Sequence, residues 1–423
     1  MNSIPTAPPS GFRDFLPESC ALRTRAVEKV SAVYRSFGFA QIATSAVEDL
    51  AVLLGKGGGE NEKLIFKILK RGDKLEAALA AKEDPADLGL RFDLTLPLAR
   101  YYSKNKGTLP NPFKAFQIGP VWRAERAQKG RYREFYQCDA DIIGSDSPAC
   151  EVEVISALMA AFEVMGVEAP QVVLNDRVIL FALLDAAGVP QDKRGGTCVL
   201  LDKLDKVERA QIVTELTELL GPGPAQALEK SIIDGDKISV APEALARLEW
   251  IRETLKTTAG IEARVSPSLI RGFDYYTGPV FEFRSPKLSG SLGGGGRYDK
   301  LTEKFGGAPV PACGASIGFE RLMLLLEEDP AAAKAGGPDF CMTVFSEELR
   351  AQSLKLAARL RQAGKTVDVY PGKAKLGTQF KYADAKRAAR VLVLGPDEAA
   401  AGVVNVKELA TGKEEKVALE TLL

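Results

Sequence analysis

The chain has 423 residues, 46% apolar and 26% charged, the balance of an ordinary soluble globular protein, and at roughly 150 residues per domain it is expected to hold two or three domains. Its 56 basic and 56 acidic residues cancel, so no global field draws it to nucleic acid or membrane, and any polyanion must meet a local patch. Histidine is absent from the whole sequence, which excludes every mechanism that uses imidazole as base, nucleophile or metal ligand.

Pro17 and Glu18 open a predicted helix in which Leu22, Ala26, Val30, Val33, Tyr34 and Phe37 recur at helical spacing and form an apolar stripe. Gly38 stops it, Phe39 to Ala43 alternates like a strand, and a glycine-rich segment follows at Gly55 to Gly59. In Arg91 to Pro97, Asp93 and Thr95 stand two apart, so a strand would turn both to one face beside Arg91. A carboxylate with a hydroxyl suits an ammonium group; an edge strand with its polar face in water is the alternative.

Residues 113 to 143 read as two strands around a basic loop, Ala127 to Arg131. Arg123, Glu125, Arg126, Lys129, Arg131 and Arg133 fall within eleven residues, and Phe135 follows them. Guanidinium forks on one face can clamp phosphate and a ring can stack on a base, although a solvated charged hairpin has the same composition. Gln137, Asp139 and Asp141 alternate in a stretch apolar enough to be buried, where a bound ligand or nearby arginines would satisfy them.

From about 176 to 258 the pattern changes to short amphipathic helices, which predicts an inserted helical module, and strand signals return from Val265 to Arg284. Within them, Leu269 to Gly278 sets Arg271, Asp274, Tyr275 and Tyr276 between Gly272 and Gly278. These groups suit a polar substrate and an anion, while a turn carrying two core tyrosines is the structural alternative. Gly293 to Gly296 reads as a loop, either a flexible turn or a close-packed floor for a ligand, and leads to Arg297, Tyr298 and Asp299. Ile317 to Leu326 reads as a strongly apolar helix opening on which Arg321 needs either pairing of the Glu320 kind or an anionic ligand.

The Pro- and Gly-rich stretch Glu327 to Pro338 is the best domain boundary in the chain. Strands near 340 to 345, 366 to 370, 390 to 394 and 403 to 407 alternate with helical stretches and predict a small α/β domain. Residues 355 to 390 carry ten Lys or Arg against two Asp, interleaved with Tyr370, Phe380 and Tyr382. That pattern suits single-stranded RNA as well as a solvated helix. The six cysteines are scattered, with no Cys-x-x-Cys pair, as expected of reduced thiols in a cytoplasmic protein, and neither a leader pattern nor a membrane-length apolar run is present.

Taken in order, these segments resemble the histidyl-tRNA synthetases, a family of class II aminoacyl-tRNA synthetases, from about Gly11 to the C-terminus. Phe37-Gly38-Phe39 to Glu48 resembles motif 1, Val121 to Asp141 motif 2 and Gly314 to Leu325 motif 3. Leu269 to Gly278 and Gly293 to Asp299 resemble the two signatures peculiar to the histidine enzymes. The resemblance implies an α+β fold, an antiparallel sheet with flanking helices, a helical insertion and a C-terminal α/β anticodon-binding domain. Its division would be residues 1–175 and 259–328 for the catalytic domain, 176–258 for the insertion, 329–338 for a linker and 339–423 for the anticodon domain.

It further implies activation of histidine with ATP, transfer to the 3′-terminal adenosine of histidine tRNA, magnesium carried mainly on the ATP phosphates, and a homodimer. Residue by residue, it puts Arg123 and Arg271 on the α-phosphate, Arg321 and Arg131 on the outer phosphates, and Glu125 and Phe135 around the adenine. Asp93, Thr95 and Gln137 would hold the amino and carboxylate end of histidine, with Asp141, Tyr276, Tyr275 and Tyr298 around its imidazole. Arg126 and Gln128 would meet the tRNA acceptor end, and Lys373, Lys375 and Lys381 its anticodon arm. Three departures stand out: Ser45 replaces the usual motif 1 proline, Ala124 and Tyr136 stand where many relatives have histidine, and Ala127 replaces a common proline. Two rival readings are a non-catalytic paralogue serving histidine biosynthesis, which generally lacks an anticodon domain, and a class II enzyme for another amino acid.

Overall fold

The computed structural model of the chain describes residues 4–54, 60–126, 131–204, 207–234, 239–270, 275–288, 290–328 and 337–422. Gly55 to Gly59, the loop segment 127–130 with Gln128, the quartet Arg271 to Asp274 and the stretch 329–336 lie outside the described residues. Two compact units divide the chain, Met1–Asp329 and Pro330–Leu423. In chain order, the strands of the first are β1 (Ala40–Gln41), β2 (Val47–Asp49), β3 (Lys67–Leu69), β4 (Ala86–Leu90), β5 (Phe113–Trp122), β6 (Glu134–Ile143), β7 (Gln171–Asp176), β8 (Ala263–Val265), β9 (Pro279–Arg284), β10 (Ser291–Arg297) and β11 (Ala312–Gly318).

Eight of these strands form one sheet in the order β1-β5-β6-β11-β10-β9-β7-β8. From β5 to β7 every pairing is antiparallel, and only the outer pairs β1·β5 and β7·β8 are parallel. Helices Pro17–Ser36 and Ala149–Val164 pack together, and the second lies against β6 and β11. Of the predicted stripe the first helix buries Leu22, Ala26, Val30 and Tyr34, while Val33 is half-buried and Phe37 lies half-buried just past the helix end, and Tyr34 donates its hydroxyl to the Cys138 carbonyl at 3.1 Å. Pro17 occupies its first turn, where a missing N–H costs nothing, and Gly38 leaves it with φ of 78°. β2, β4 and β3 make a separate three-stranded sheet. Between β7 and β8 the chain forms helices Arg177–Ala186, Arg194–Leu201, Arg209–Leu220, Pro222–Leu228 and Pro242–Ala259.

Three local expectations are corrected. Gly293 to Gly296 is not a loop but the middle of β10, hydrogen-bonded on both sides to β9 and β11. Glycine is intrinsically poor in strands, but here the neighbouring strands come too close for any side chain. A Cβ on Gly295 would sit 2.0 Å from the Gly314 carbonyl oxygen, and one on Gly293 2.6 Å from that of Ser316. Asp93 and Thr95 do not alternate on a strand, because β4 ends at Leu90 and helix Thr95–Asn105 begins at Thr95. Pro97 is tolerated in the first turn of that helix, and the Asp93 carboxylate accepts the Leu96 N–H at 3.2 Å, as a capping group does. Ile317 and Gly318 end β11, so the apolar helix runs from Phe319 to Glu327.

The second unit carries β12 (Phe340–Met342), β13 (Val367–Val369), β14 (Arg390–Val393), β15 (Val403–Glu408) and β16 (Glu414–Ala418), in the order β13-β12-β14-β15-β16. β12 pairs in parallel with both β13 and β14, and the other pairings are antiparallel. β16, rich in Glu and Lys, was not anticipated; its alternation exposes all but Val417. The core of this unit gathers Phe340, Met342, Leu356, Leu360, Leu392 and Val404. Among the described residues of the whole chain, no helix is long and apolar enough to cross a membrane.

If the closeness of β10 to β11 sets the sheet, Gly295→Ala should cost about 1–3 kcal/mol, the range for forcing extra atoms into a packed interior. Thermal unfolding should register this as a clear drop in midpoint, with Gly107→Ala, whose Cβ would meet nothing within 4 Å, as the unaffected control.

Candidate active site

One face of the large sheet gathers several of the polar residues that the sequence singles out. On β6, Gln137, Asp139 and Asp141 alternate with Cys138, Ala140 and Ile142, so the polar trio shares one face while the apolar trio packs under the sheet. Across the strands, Asp141 stands opposite Gly314 of β11, and Gly314 opposite Gly296 of β10. Both glycines are needed there: a Cβ on Gly314 would fall 1.8 Å from Asp141 Oδ1, and one on Gly296 2.9 Å from the Tyr276 ring. The glycine strand is therefore a flat floor, cleared for Asp141 and Tyr276.

Asp141 is 3% exposed, and its Oδ1 accepts the Tyr298 hydroxyl at 2.5 Å. Its Oδ2 is buried and has no hydrogen-bond partner among the described residues. Burial raises the Asp141 carboxyl to about 7, against the lowering effect of the Tyr298 hydrogen bond and with a further push from Asp93. Asp93 shows the same pattern: Oδ2 is buried and unpartnered among the described residues, and burial raises the carboxyl to about 6 while the Leu96 N–H, Arg123 and Lys304 pull it down. Asp139, between them, is also pushed well above the usual carboxylate range by burial and by Asp141. Gln137 donates to Ser316 Oγ at 3.1 Å and leaves its own Oε1 buried and unpartnered among the described residues. Buried polar atoms are normally satisfied, so these three acceptors call for a donor-bearing ligand.

Tyr275 and Tyr276 meet edge to face with ring centres 5.0 Å apart, and Tyr275 meets Tyr298 at 6.0 Å. Tyr275 is also hydrogen-bonded to Thr95. Of the two sequence alternatives for the tyrosines, the core reading holds for Tyr276, which is buried in the core, with Tyr275 packed against it.

At the start of the basic hairpin, Arg123 donates Nε to the Phe92 carbonyl at 3.0 Å, and its guanidinium lies 4.9 Å from the centre of the Phe135 ring. Burial lowers its affinity for its proton, and Asp93 and Glu125 offset this. Glu125, Arg126 and Arg131 are exposed. Arg321 donates Nη1 to the Ser291 carbonyl at 2.6 Å, next to Gly290, where a Cβ would lie 2.7 Å from the same nitrogen. Glu320, the expected partner of Arg321, instead receives Arg13, Arg23 and the Tyr136 N–H. In the second unit Lys373, Lys375 and Lys381 are all exposed. Arg271 and Gln128 lie outside the described residues.

Several polar contacts around the site are not readable from the sequence. Ser316 holds Gln137. Arg297 is bound twice by the fully buried Glu151, at 2.7 and 2.9 Å, and its backbone carbonyl accepts the Thr277 N–H. Asn175 donates to the carbonyls of Pro267 and Leu269, just before Arg271. None of these pairs leaves a local signal, since the partners lie tens to hundreds of residues apart.

The histidyl-tRNA synthetase family profile matches residues 11–322, and an anticodon binding domain profile matches residues 339–423. The histidine–tRNA ligase of Leifsonia xyli is 40% identical over 389 residues, covering 86% of this chain and 89% of its own. That of Rhodopirellula baltica is 38% identical, covering 96% and 94%. The crystal structure of histidyl-tRNA synthetase from Nostoc sp. PCC 7120 superposes with a TM-score of 0.82 at 26% identity, covering 99% of this chain and 98% of that one. With a family match over well more than half of its length and curated relatives covering nearly all of it, the chain belongs to the histidyl-tRNA synthetase family.

Proposed function

We propose that the open acceptors on the sheet floor are where this chain performs the reaction of its family, ATP-dependent activation of histidine followed by transfer to the 3′-terminal adenosine of histidine tRNA. The observation that carries the reading is Asp141, whose Oδ1 is held by Tyr298 while Oδ2 is open and buried. A neutral imidazole presents one N–H and one lone pair. Asp141 Oδ2 takes the N–H, and a phenol of the tyrosine cluster donates to the other nitrogen. An apolar ring of similar size would leave both groups unpaired, so strong discrimination needs no second, editing site. Asp93 with Thr95 takes the ammonium group, and Gln137 borders the carboxylate end.

Activation needs no protein base, because the substrate carboxylate is already an anion at neutral pH. A carboxylate oxygen attacks the α-phosphorus in line, the bond from that phosphorus to the oxygen bridging the α- and β-phosphates breaks, and pyrophosphate leaves with that electron pair. The protein's task is alignment and neutralisation of charge on the phosphates. We assign Arg123 and Arg271 to the α-phosphate, Arg321 and Arg131 to the outer phosphates, and Phe135 with Glu125 to the adenine. Magnesium arrives on the phosphates of ATP, sharing their charge. A tRNA hydroxyl then attacks the activated carbonyl and AMP departs.

The rest of the assignment is of the same kind. Residues 1–175 and 259–328 form the catalytic domain, 176–258 the insertion, 329–338 the linker and 339–423 the anticodon-binding domain. Arg126 and Gln128 face the acceptor end, and Lys373, Lys375 and Lys381 the anticodon arm. The protein works as a cytoplasmic homodimer. Incubated with ATP, magnesium, radiolabelled histidine and histidine tRNA, it should form labelled aminoacyl-tRNA; histidine-dependent exchange of pyrophosphate into ATP without charging would contradict the second step, and no exchange would contradict both.

Arg123→Ala should lower the exchange rate by about 10²-fold or more, the cost of removing one positioned charge from a developing anion. Exchange within a few-fold of the parent would remove Arg123 from the phosphates.

A pH-dependent signature follows from the raised carboxyls. A carboxyl raised in the folded chain binds its proton more tightly there than in the unfolded chain, so ionising it as pH climbs from about 4 to its raised value costs stability. For Asp141 that window closes at about 7. Asp141→Asn keeps an oxygen for the Tyr298 hydroxyl and removes the charge. It should raise the thermal midpoint above that of the parent at pH 8, lose that advantage towards pH 5, and abolish histidine activation at both. A lower midpoint than the parent at pH 8 would show that the ionised carboxylate stabilises the unliganded fold.

A further inference from the structure

The N-terminal segment Pro9 to Phe15 crosses the base of the basic hairpin. The Gly11 carbonyl accepts the Arg133 N–H at 2.8 Å, and the Arg133 carbonyl accepts the Arg123 N–H at 2.8 Å. Arg133 also donates Nε to the Glu125 carbonyl at 3.0 Å and Nη1 to the Ser10 carbonyl at 3.4 Å. Gly11 has φ of 86°, and a Cβ there would fall 2.8 Å from the Arg133 side chain, so strap and hairpin are in direct contact.

Arg13 joins this strap to two further elements. Its guanidinium lies 3.3 Å from the centre of the Tyr132 ring, next in sequence to Arg131. The same guanidinium donates to Glu320, next in sequence to Arg321. Glu320 is 6% exposed and also receives Arg23 of the first helix through both nitrogens, at 2.7 and 2.8 Å, and the Tyr136 N–H of β6 at 3.3 Å. Burial pushes the Glu320 carboxyl up, but Arg23 and Arg13 outweigh it and hold the group below its ordinary value. Such a buried ion cluster is weak evidence for stability and better evidence for a fixed arrangement.

We infer that Arg13 is a positioning residue for the ATP side of the site, setting the spacing between the hairpin that carries Arg131 and the helix that carries Arg321. This rests on the reading that those two arginines face the outer phosphates. Arg13 itself touches neither substrate. A lysine ammonium keeps the charge for Glu320 but loses the flat guanidinium surface over Tyr132, so Arg13→Lys weakens the link without removing it.

The test is histidine-dependent ATP–pyrophosphate exchange by the full chain, with KM measured separately for ATP, pyrophosphate and histidine, and thermal unfolding run alongside. Arg13→Ala should raise KM for ATP and for pyrophosphate about tenfold, within the cost of a small misplacement of a catalytic group, and leave KM for histidine within about twofold. Arg13→Lys, which guards against a variant that does not fold, should fall between the two. A lower unfolding midpoint with all three KM values unchanged would overturn the inference in favour of a structural role, as would an equal rise for histidine. Arg321→Ala in the same assay separates the two claims. If it abolishes exchange and Arg13→Ala changes no KM, the positioning role alone fails; if the parent shows no histidine-dependent exchange, the phosphate reading fails and takes the role with it.

Discussion

The structure is organised by the need to keep three carboxylates buried close together, Asp139 and Asp141 on β6 and Asp93 just before helix Thr95–Asn105. Taking a carboxylate out of water is costly unless partners replace the water, and the raised carboxyls of Asp93 and Asp141 show that replacement is incomplete. The surroundings limit that cost without removing it: Tyr298 donates to Asp141, Ser316 bonds to Asp139, the Leu96 N–H donates to Asp93, and Arg123 supplies a positive charge close by. What remains is a set of aimed, open oxygens. Their unmet demand is what a substrate bearing an ammonium group and a ring N–H can meet, and the fold pays for that readiness in stability.

Ion pairs around the site behave differently. Glu151 with Arg297, Glu48 with Arg100, and Glu320 with Arg13 and Arg23 are buried carboxylates met by guanidinium groups, several of them in two-pronged contact. Arg297 fixes the end of β10 next to Tyr298, and Glu320 fixes the helix next to Arg321. Those carboxylates are met closely by guanidinium groups, whereas Asp93, Asp141 and Gln137 each keep a buried oxygen without a partner among the described residues.

Much of this was legible in the sequence where the signal is local. The apolar stripe of helix Pro17–Ser36 and the alternation of Gln137, Asp139 and Asp141 follow from spacing alone, and both appear as read, the stripe as far as Tyr34. Gly293 to Gly296 misled because its reason for being glycine lies in β11, and an empty side chain gives no strand signal. Asp93 and Thr95 misled because a polar residue two before another fits a strand as well as a helix cap, and only the capping bond to Leu96 decides. Tyr298 and Asp141 are 157 residues apart, so their hydrogen bond was beyond any spacing argument. Motif order carried the functional reading instead, and the fold then supplied the geometry that order alone lacks.

The absence of histidine from the chain gives the account a sharp form, because the only imidazole the site needs is the one it binds. The central claim is that Asp141 and the tyrosines beside it read a hydrogen-bonding ring. Its most direct test is kcat/KM for ATP–pyrophosphate exchange with histidine against phenylalanine, measured on one preparation. Unpaired buried groups should penalise phenylalanine by about 10⁴-fold or more. A ratio within about 10²-fold, the limit for shape and hydrophobic fit alone, would mean that the ring is not read by hydrogen bonds.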